Sequence, residues 1–401
     1  MEIIIDILKV IQILFFIYII ISVGVLFVFS FAGIFSYKPL LTDDGVIRKI
    51  AVIIPAYRED TVILEVVESA MEQQYPKDKF DIVVVADHFK KETLDRLSKQ
   101  DIILLAKDFD ISTKSRAINF AFRHLKNSYD IACILDADNI MSRDFLLTIN
   151  KSFATGFKVV QGHRTAKNLN TNFALLDAIS EEINNSIFRK GFRRLNFSSA
   201  LIGSAMAFDY KMFKKMMAEV EVVGGFDKEI EMRLARRKIK VEYLPEPYVY
   251  DEKVQNSEVF TRQRRRWLSA QVHFFGSNLL PSIKSLFSKG NFEYFVRAMI
   301  YLQLPRILLF AVLIILVPLS FFVNPIGWII AWCLALVLLI LVFVFAIPLR
   351  FYNFNFFKAV LTLPKGILMM MVSLLSVKKG NKKFIHTKHT YNAFQIKKHK
   401  H

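Results

Sequence analysis

Hydrophobic residues are concentrated at the two ends of the chain, whereas the middle alternates between apolar and polar segments. One apolar run covers residues 3–35, and two more cover residues 307–323 and 326–349. Each run is long enough for a helix that crosses a lipid bilayer, for which roughly 17 to 25 residues suffice. Asn324 and Pro325 separate the last two runs and predict a hairpin. The pattern therefore predicts one spanning helix before the central region and two after it.

The central region, residues 49–275, repeats a plan in which a short apolar strand leads into an amphipathic helix. Strands are predicted near residues 50–57, 80–87, 102–106, 131–135, 158–162 and 241–244. Helices are predicted near residues 62–74, 114–126, 144–152 and 172–189, with others starting near residues 91 and 227. Strands and helices that alternate at these lengths are typical of an α/β fold, in which helices cover both faces of a mainly parallel sheet. The central region is therefore predicted to be a water-soluble domain.

The distribution of charge along the chain predicts how the protein is oriented in the membrane. The formal net charge is +18, and Lys and Arg accumulate near residue 48, at residues 262–266 and in the tail at residues 378–400, but not in the hairpin turn. Positively charged loops face the cytoplasm, so the central region and tail are predicted to be cytoplasmic, with the N-terminus outside. Lipid contact explains the charge more simply than nucleic-acid binding, which we do not expect. The prediction is a multi-pass protein of the cell (inner) membrane whose partners include the lipid bilayer.

The segments beside the predicted spans complete the domain plan. Residues 1–36 hold the first span and residues 305–349 hold the hairpin. Residues 276–304 are interpreted as an interfacial connection. Residues 350–401 are interpreted as helices in the cytoplasmic interface followed by a basic tail. A fourth, broken span at residues 351–377 is the alternative.

Acidic residues follow two of the predicted strands. Asp87 ends one strand, and Asp136 and Asp138 follow another. The carboxyl ends of parallel strands meet at one edge of the sheet, where open α/β sheets bind ligands. Carboxylates at i and i+2 share one side of an extended segment, and their oxygens suit Mg²⁺ or Mn²⁺ beside a phosphate. The pair predicts a metal-bridged nucleotide; solvated turn acids, and a helix cap at Asp87, are the structural alternatives.

Three later segments carry further candidate chemistry. Gly203 and Ser204 lie between apolar residues, which indicates either a backbone packed close to a ligand or an ordinary tight turn. Asp227 starts a helical pattern, where an acid is either a cap or a general base. Residues 264–267, Arg-Arg-Arg-Trp, precede the hairpin, where headgroup contact and an aromatic interface anchor are the simpler explanations.

In their order along the chain, these segments resemble membrane-embedded family-2 glycosyltransferases, the group that includes cellulose, chitin, hyaluronan and poly-N-acetylglucosamine synthases. The resemblance covers about residues 49–271. The motifs that carry it are Pro55-Ala56-Tyr57, Asp87, Asp136-x-Asp138 and Gln263-x-x-Arg266-Trp267. It implies a GT-A-type, Rossmann-like mixed sheet, mainly parallel, with flanking helices and transmembrane helices at both ends.

The resemblance also implies roles for residues of this sequence. Those implied to bind the nucleotide sugar, expected to be a UDP-sugar, are Ala56, Tyr57, Glu59, Asp87, Lys114, Arg116 and Asp136. Those implied to contact the diphosphate and the acceptor are Gly203, Ser204, Gln263, Arg266 and Trp267. Asp138 would hold Mg²⁺ or Mn²⁺, which neutralises charge on the departing UDP. Asp227 would be the general base in a single displacement that inverts the anomeric configuration.

Two departures from the family pattern leave alternatives open. The usual Thr-Glu-Asp is here Gly225-Phe226-Asp227, so Glu229 or Glu231 is the alternative base. The membrane part is also small for a polymer channel.

The leading hypothesis is an enzyme that builds a β-linked polysaccharide on a glycan acceptor, with an export subunit as a further partner. The alternatives are transfer of one sugar to a lipid acceptor, as in ceramide glucosyltransferases, and a non-catalytic membrane scaffold or transporter.

Overall fold

The computed structural model describes residues 2–222, 224–255 and 257–375, so the predicted basic tail lies outside the described residues. The strands are β1 (Ile50–Tyr57), β2 (Phe80–Asp87), β3 (Ile103–Ala106), β4 (Ile131–Ile134), β5 (Ile140–Met141), β6 (Val159–Ala166), β7 (Met206–Asp209) and β8 (Glu242–Asp251). The helices are α1 (Glu2–Ile34), α2 (Ile63–Met71), α3 (Lys91–Leu97), α4 (Lys114–His124), α5 (Phe145–Phe153), α6 (Asn172–Asn184), α7 (Phe192–Arg194), α8 (Tyr210–Met217), α9 (Phe226–Arg236), α10 (Ser257–Lys289), α11 (Phe292–Ile300), α12 (Arg306–Val323), α13 (Ile326–Ala346), α14 (Phe354–Val360) and α15 (Leu363–Leu375). A π-helical turn, Asn185–Gly191, joins α6 to α7.

The strands form an eight-stranded mixed sheet in the order β3-β2-β1-β4-β7-β6-β8-β5. β1 pairs in parallel with β2 and β4, and β2 pairs in parallel with β3. β7 runs antiparallel to both β4 and β6. The carboxyl ends of β1, β2 and β4 therefore meet at one edge of the sheet. The predicted α/β class and its mixed sheet are confirmed.

Both faces of the sheet are covered, which explains why its strands are apolar throughout. Along β1, Ile50, Val52 and Ile54 pack into one hydrophobic core, and Ala51 and Ile53 pack into the other. Strands buried on both faces lose the alternation of apolar and polar residues that a half-exposed strand shows. The helices α2 and α5 cover the first face, whereas α4, α8 and α9 cover the second.

Among the residues that the structure describes, three helices are long and apolar enough to cross a membrane: α1 over Asp6–Ile34, α12 and α13. α1 packs on α13, where the rings of Phe16 and Trp332 meet edge to face at 4.9 Å. α1 also packs on the π-helical turn, where a Cβ at Gly191 would lie only 2.0 Å from the carbonyl oxygen of Phe29. The candidate spans and the sheet domain therefore share a packed interface.

The structure differs from the predicted element boundaries in two places and leaves a third prediction open. α10 continues to Lys289, so the domain boundary predicted at residue 275 falls inside a helix. Residues 354–375 hold two helices of 7 and 13 residues, so the choice between interfacial helices and a broken span stays a prediction. β6 and β8 extend beyond the predicted strands because they pair with each other through a register shift at Gly162.

Candidate active site

Three carboxylates converge at the carboxyl edge of the sheet. Asp136 and Asp138 follow β4, Asp251 ends β8, and one oxygen atom from each lies within 4.8 Å of the others. The pairing of β5 with β8 brings these segments together, and Asn139 Nδ2 donates to Asp138 Oδ1 at 3.2 Å and to Asp251 Oδ1 at 3.1 Å. Clustered carboxylate oxygens are the donors that Mg²⁺ and Mn²⁺ prefer, so this set fits a divalent cation.

Cationic side chains surround the three acids. Arg164 Nη1 lies 3.6 Å from Asp136 Oδ2 and 3.4 Å from Asp251 Oδ1. Lys114 pairs with Asp136, and Lys253 Nζ lies 2.8 Å from Asp251 Oδ2. Burial opposes the charge of Arg164, but Asp251 and Asp136 raise the pKa of its guanidinium, so it stays charged. The protein itself therefore balances much of the negative charge of the acid cluster.

The predicted nucleoside-binding residues lie where β1 and β2 end side by side. Tyr57 and Asp87 are paired in the parallel register. Asp87 is buried, accepts a hydrogen bond from the amide of Phe109 at 3.2 Å, and lies 2.5 Å from His88 Nδ1. The His88 ring stands edge-on to Tyr57 at 5.6 Å between ring centroids. His88, which the sequence did not single out, therefore belongs to the same cluster.

The predicted base lies at the start of α9, beside Gly203. Asp227 is in the first turn of α9, and a Cβ at Gly203 would lie 3.8 Å from Asp227 Cβ. Gly203 has a φ of +90°, which favours glycine, and its carbonyl accepts a hydrogen bond from Lys114 at 2.5 Å. Lys228 Nζ lies 3.3 Å from Asp227 Oδ2. Gly203 thus keeps the space open between Lys114 and the carboxylate of Asp227.

The two alternative bases have other contacts. Glu229 Oε1 lies 2.6 Å from Arg233 Nε, one helical turn further along α9. Glu231 is buried, accepts the amide of Leu201 at 2.8 Å, and lies 3.1 Å from Arg297. Burial raises the pKa of Glu231, but the charges of Lys228 and Arg297 and the amide of Leu201 lower it further, so the carboxylate is held in the ionised form. Asp227 and Glu231 line the cavity described below, whereas Glu229 does not, and the choice of Asp227 as the base stays a prediction.

The Gln-x-x-Arg-Trp motif lies on α10 and faces the same space. Burial lowers the pKa of Arg266, whereas the charges of Asp227 and Asp136 raise it, so its guanidinium lies near enough to both carboxylates for their charges to act on it. Trp267 is 43 % exposed, and the Arg264 guanidinium stacks over its ring at 4.5 Å. The motif thus presents a cation and a flat aromatic face beside the acids.

One cavity of about 1280 Å³ joins these groups. It runs from the ends of β1 and β2, past the acid cluster and Asp227, to apolar side chains of α12, α13 and α15. All of the predicted site residues line it except Ser204 and Arg116. Ser204 is buried, and its Oγ accepts the amide of Asp136 at 2.9 Å, so it supports the acid loop. Arg116 donates to the carbonyl of Ile111 at 3.4 Å.

Sequence reasoning missed Asp251, Arg164 and Lys253. A usable signal existed for Asp251, because Tyr250-Asp251-Glu252 ends an apolar strand with acids in the same way as Asp136 and Asp138 do. Arg164 and Lys253 carry no comparable signal. Their place near the acids depends on the pairing of β6 with β8.

Residues 48–270 match glycosyltransferase like family 2 over more than half of the chain, so the chain belongs to this family. The probable glycosyltransferase YdaM of Bacillus subtilis (strain 168) is 26% identical over 236 residues. That match covers 55% of this chain and 54% of YdaM, so it spans about half of each protein. The family resemblance inferred from the motifs is confirmed at the level of the family.

A solved structure supports the fold over most of the chain. The mannosyltransferase PcManGT from Pyrobaculum calidifontis, in complex with GDP-Man and Mn²⁺, is similar with a TM-score of 0.58 and 16% identity. The likeness covers 90% of this chain and 97% of that chain. It therefore includes apolar helices as well as the sheet domain.

Proposed function

We propose that this chain is an inverting, metal-dependent glycosyltransferase that moves a sugar from a nucleoside diphosphate to a hydroxyl of a lipid acceptor. The observation that carries the proposal is the single cavity that joins the acid cluster and Asp227 to an apolar wall on the candidate spans. A soluble acceptor would not need that wall, whereas a lipid would bury its chain there.

At the donor end, Asp136, Asp138 and Asp251 would hold Mg²⁺ or Mn²⁺. When bound, this metal neutralises charge on the departing nucleoside diphosphate. Lys114 lies beside Asp136 and is placed to add a second positive charge to a phosphate oxygen. We propose a UDP-sugar as the donor, with Asp87 and Tyr57 beside its nucleoside. The GDP-Man and Mn²⁺ in PcManGT support a nucleotide sugar and a metal in general.

In the proposed reaction, the acceptor oxygen bonds to the anomeric carbon while the bond from that carbon to the diphosphate breaks. The proton of the acceptor hydroxyl passes to Asp227, which lines the cavity. The electron pair of the broken bond leaves with the nucleoside diphosphate, which Lys114 and Arg266 would help to stabilise. A single displacement converts an α-linked donor into a β-linked product.

A polysaccharide synthase is the second candidate function. Trp267 favours it, because a partly exposed ring beside Arg266 suits the face of an acceptor sugar. In this case the acceptor is a glycan, and an export subunit is a further expected partner. The described residues hold three candidate spans, which is a small number for a polymer channel. This small number supports the lipid acceptor instead.

The proposed location is the cytoplasmic face of the cell membrane, with several passes of the chain through the bilayer. The three candidate spans support membrane insertion. The excess of Lys and Arg beside the central domain supports its cytoplasmic side. The short helices α14 and α15 would then lie in the interface.

The experiment is product analysis with purified protein in detergent. The protein is incubated with Mn²⁺, a bacterial lipid extract and radiolabelled UDP-glucose, UDP-galactose, UDP-N-acetylglucosamine or GDP-mannose. We expect one discrete product that extracts into organic solvent, and no product from an Asp138→Asn variant. A ladder or a high-mass product would replace the lipid acceptor with the polysaccharide. Equal product from wild type and Asp138→Asn would contradict the assigned site.

A further inference from the structure

Two arginines line the cavity close to its apolar wall. Arg189, in the π-helical turn, is 3% exposed; it donates to Asn185 Oδ1 at 2.6 Å, while its Nε has no hydrogen-bond partner among the described residues. Arg306, the first residue of α12, donates to the carbonyl of Ser180 at 3.4 Å, and its Nη1 likewise has no partner there. Within the part of the chain that the structure describes, neither arginine forms a direct ion pair with a carboxylate.

The surroundings of these two arginines include a third arginine, Arg264, which is itself paired with Asp177 at 2.8 Å. Arg306 lies close enough to Arg264 and Arg189 for their charges to act on one another. Burial, together with the charge of Arg164, lowers the pKa of Arg189 to about 10, although Glu231 and Glu182 act on it from a distance. Burying a charge without a partner costs free energy, so such groups usually meet an anion. The arrangement therefore indicates a place for an anion that the described residues do not supply.

The backbone at the N-terminus of α12 also favours an anionic ligand. The N-terminus of α12 reaches the cavity, because Leu304, Pro305, Arg306 and Ile307 all line it. A helix N-terminus carries partial positive charge and free amide donors, which attract phosphate and other anions. Two guanidinium groups and one helix N-terminus thus converge on the same part of the cavity.

Apolar side chains of the candidate spans line the same cavity as the arginines. On the membrane side the cavity is lined by Phe310, Ile340, Phe343, Val344 and Ile347. The same cavity is lined by Arg266 and Asp227, and the charges of Asp227 and Asp136 act on Arg266. One cavity therefore combines apolar, cationic and acidic linings, as an amphipathic ligand with an anionic group would require.

We propose that Arg189 and Arg306 bind a phosphate group of the lipid acceptor. The phosphate lies between the apolar chain of the lipid, which packs on α12 and α13, and the hydroxyl group, which reaches Asp227. This assignment rests on the proposed function, because only a lipid acceptor places a hydroxyl at Asp227 and an apolar chain at the spans. It narrows the acceptor to lipids with a phosphomonoester or phosphodiester near the reacting hydroxyl.

The test is a binding measurement that needs neither a sugar donor nor a metal. Purified protein in dodecyl maltoside is titrated with dodecyl phosphate, dodecanol or inorganic phosphate, and binding is followed by isothermal titration calorimetry. We expect dodecyl phosphate to bind at least tenfold more tightly than dodecanol or inorganic phosphate. Arg189→Gln and Arg306→Gln should each weaken dodecyl phosphate binding about tenfold, because one charge-assisted hydrogen bond is lost. Arg306→Lys should keep part of the affinity.

The matched control is Arg143→Gln, since Arg143 is exposed, pairs with Glu72 and lies outside the cavity lining. It should bind dodecyl phosphate as wild type does. Thermal unfolding without any probe confirms that each variant is folded. Equal affinity for dodecanol and dodecyl phosphate would overturn the phosphate site, and equal affinity for inorganic phosphate would overturn its assignment to a lipid. Unchanged binding by both glutamine variants would overturn the role of the arginines.

The two proposals fail in different ways. If a lipid product forms but the arginine variants bind dodecyl phosphate normally, the phosphate site is wrong and the proposed function stands. If the arginines bind dodecyl phosphate as expected but no lipid product forms, the binding site stands and the proposed function is wrong.

Discussion

The two ends of the cavity use charge in opposite ways. At the sheet edge, Asp136 and Asp251 share Arg164, and each has a lysine beside it. At the membrane end, Arg189 and Arg306 have no direct carboxylate partner among the described residues, and their nearest charged neighbours include further arginines. The acids are paired with cations of the protein, whereas Arg189 and Arg306 lack an anion in direct contact among the described residues.

This difference in charge pairing suits the two ends of the cavity to different tasks. When a metal and a diphosphate arrive, the acids can pair with the metal and the cations with the diphosphate, so no buried charge is left without a partner. Buried arginines without an anion lower stability until a ligand supplies one. The acidic end is therefore suited to changing charge during a reaction, and the cationic end to holding one anionic ligand in place.

The largest expected effect comes from the acid cluster. Asp251→Asn should lower the transfer rate about 10⁴-fold, because loss of a metal ligand removes several kcal/mol of transition-state stabilisation. Electron paramagnetic resonance of free Mn²⁺ would measure the accompanying loss of metal binding. Asp144→Asn, at an exposed position before α5, is the control. Normal Mn²⁺ binding and rate in Asp251→Asn would remove this residue from the site.

A smaller effect is expected at the boundary between the two ends. Asp227→Asn should lower the transfer rate about 10³-fold, since the acceptor proton would have no base. Binding of UDP, measured by calorimetry, should stay unchanged because Asp227 does not belong to the acid cluster. Glu229→Gln should have little effect, because Glu229 is paired with Arg233. If Glu229→Gln lowered the transfer rate more than Asp227→Asn does, Glu229 would be the general base instead of Asp227.

The smallest effect concerns stability, at a contact that joins the sheet domain to the chain after α13. Glu182 accepts hydrogen bonds from Arg350 and from Thr165 Oγ1, both at 2.8 Å, and lies 3.1 Å from His163 Nε2. Burial alone would raise the pKa of Glu182, but His163 and Arg350 lower it from 4.5 to about 2. The stabilisation is therefore complete above pH 4.5 and is lost as the pH falls towards 2.

This shift corresponds to about 3 kcal/mol of unfolding free energy. Thermal unfolding of wild type and Glu182→Gln at pH 6 and pH 3 would measure it. Wild type should be the more stable at pH 6, and the difference should shrink at pH 3. A difference between the two proteins that is independent of pH would contradict the charged state assigned to Glu182.

The fold and part of the site follow from local sequence. The apolar runs predict α1, α12 and α13 because a bilayer span is a property of length and composition. The run before Asp136 predicts β4 in the same way. Asp136 and Asp138 are close in the chain, so their shared side needs no knowledge of distant segments. The sequence could also place Asp87 at the same edge, because parallel strands align their carboxyl ends.

The sequence alone determined the class of the central domain, the candidate spans and the two acids of the Asp-x-Asp pair. Only the tertiary structure decided that Asp251 completes the acid cluster, that Ser204 supports it from behind, and that Arg189 and Arg306 lie in one cavity. The physical reason is that these contacts join segments far apart in the chain. Their geometry depends on strand pairing and on the packing of α1, α6 and α12, which no local pattern encodes.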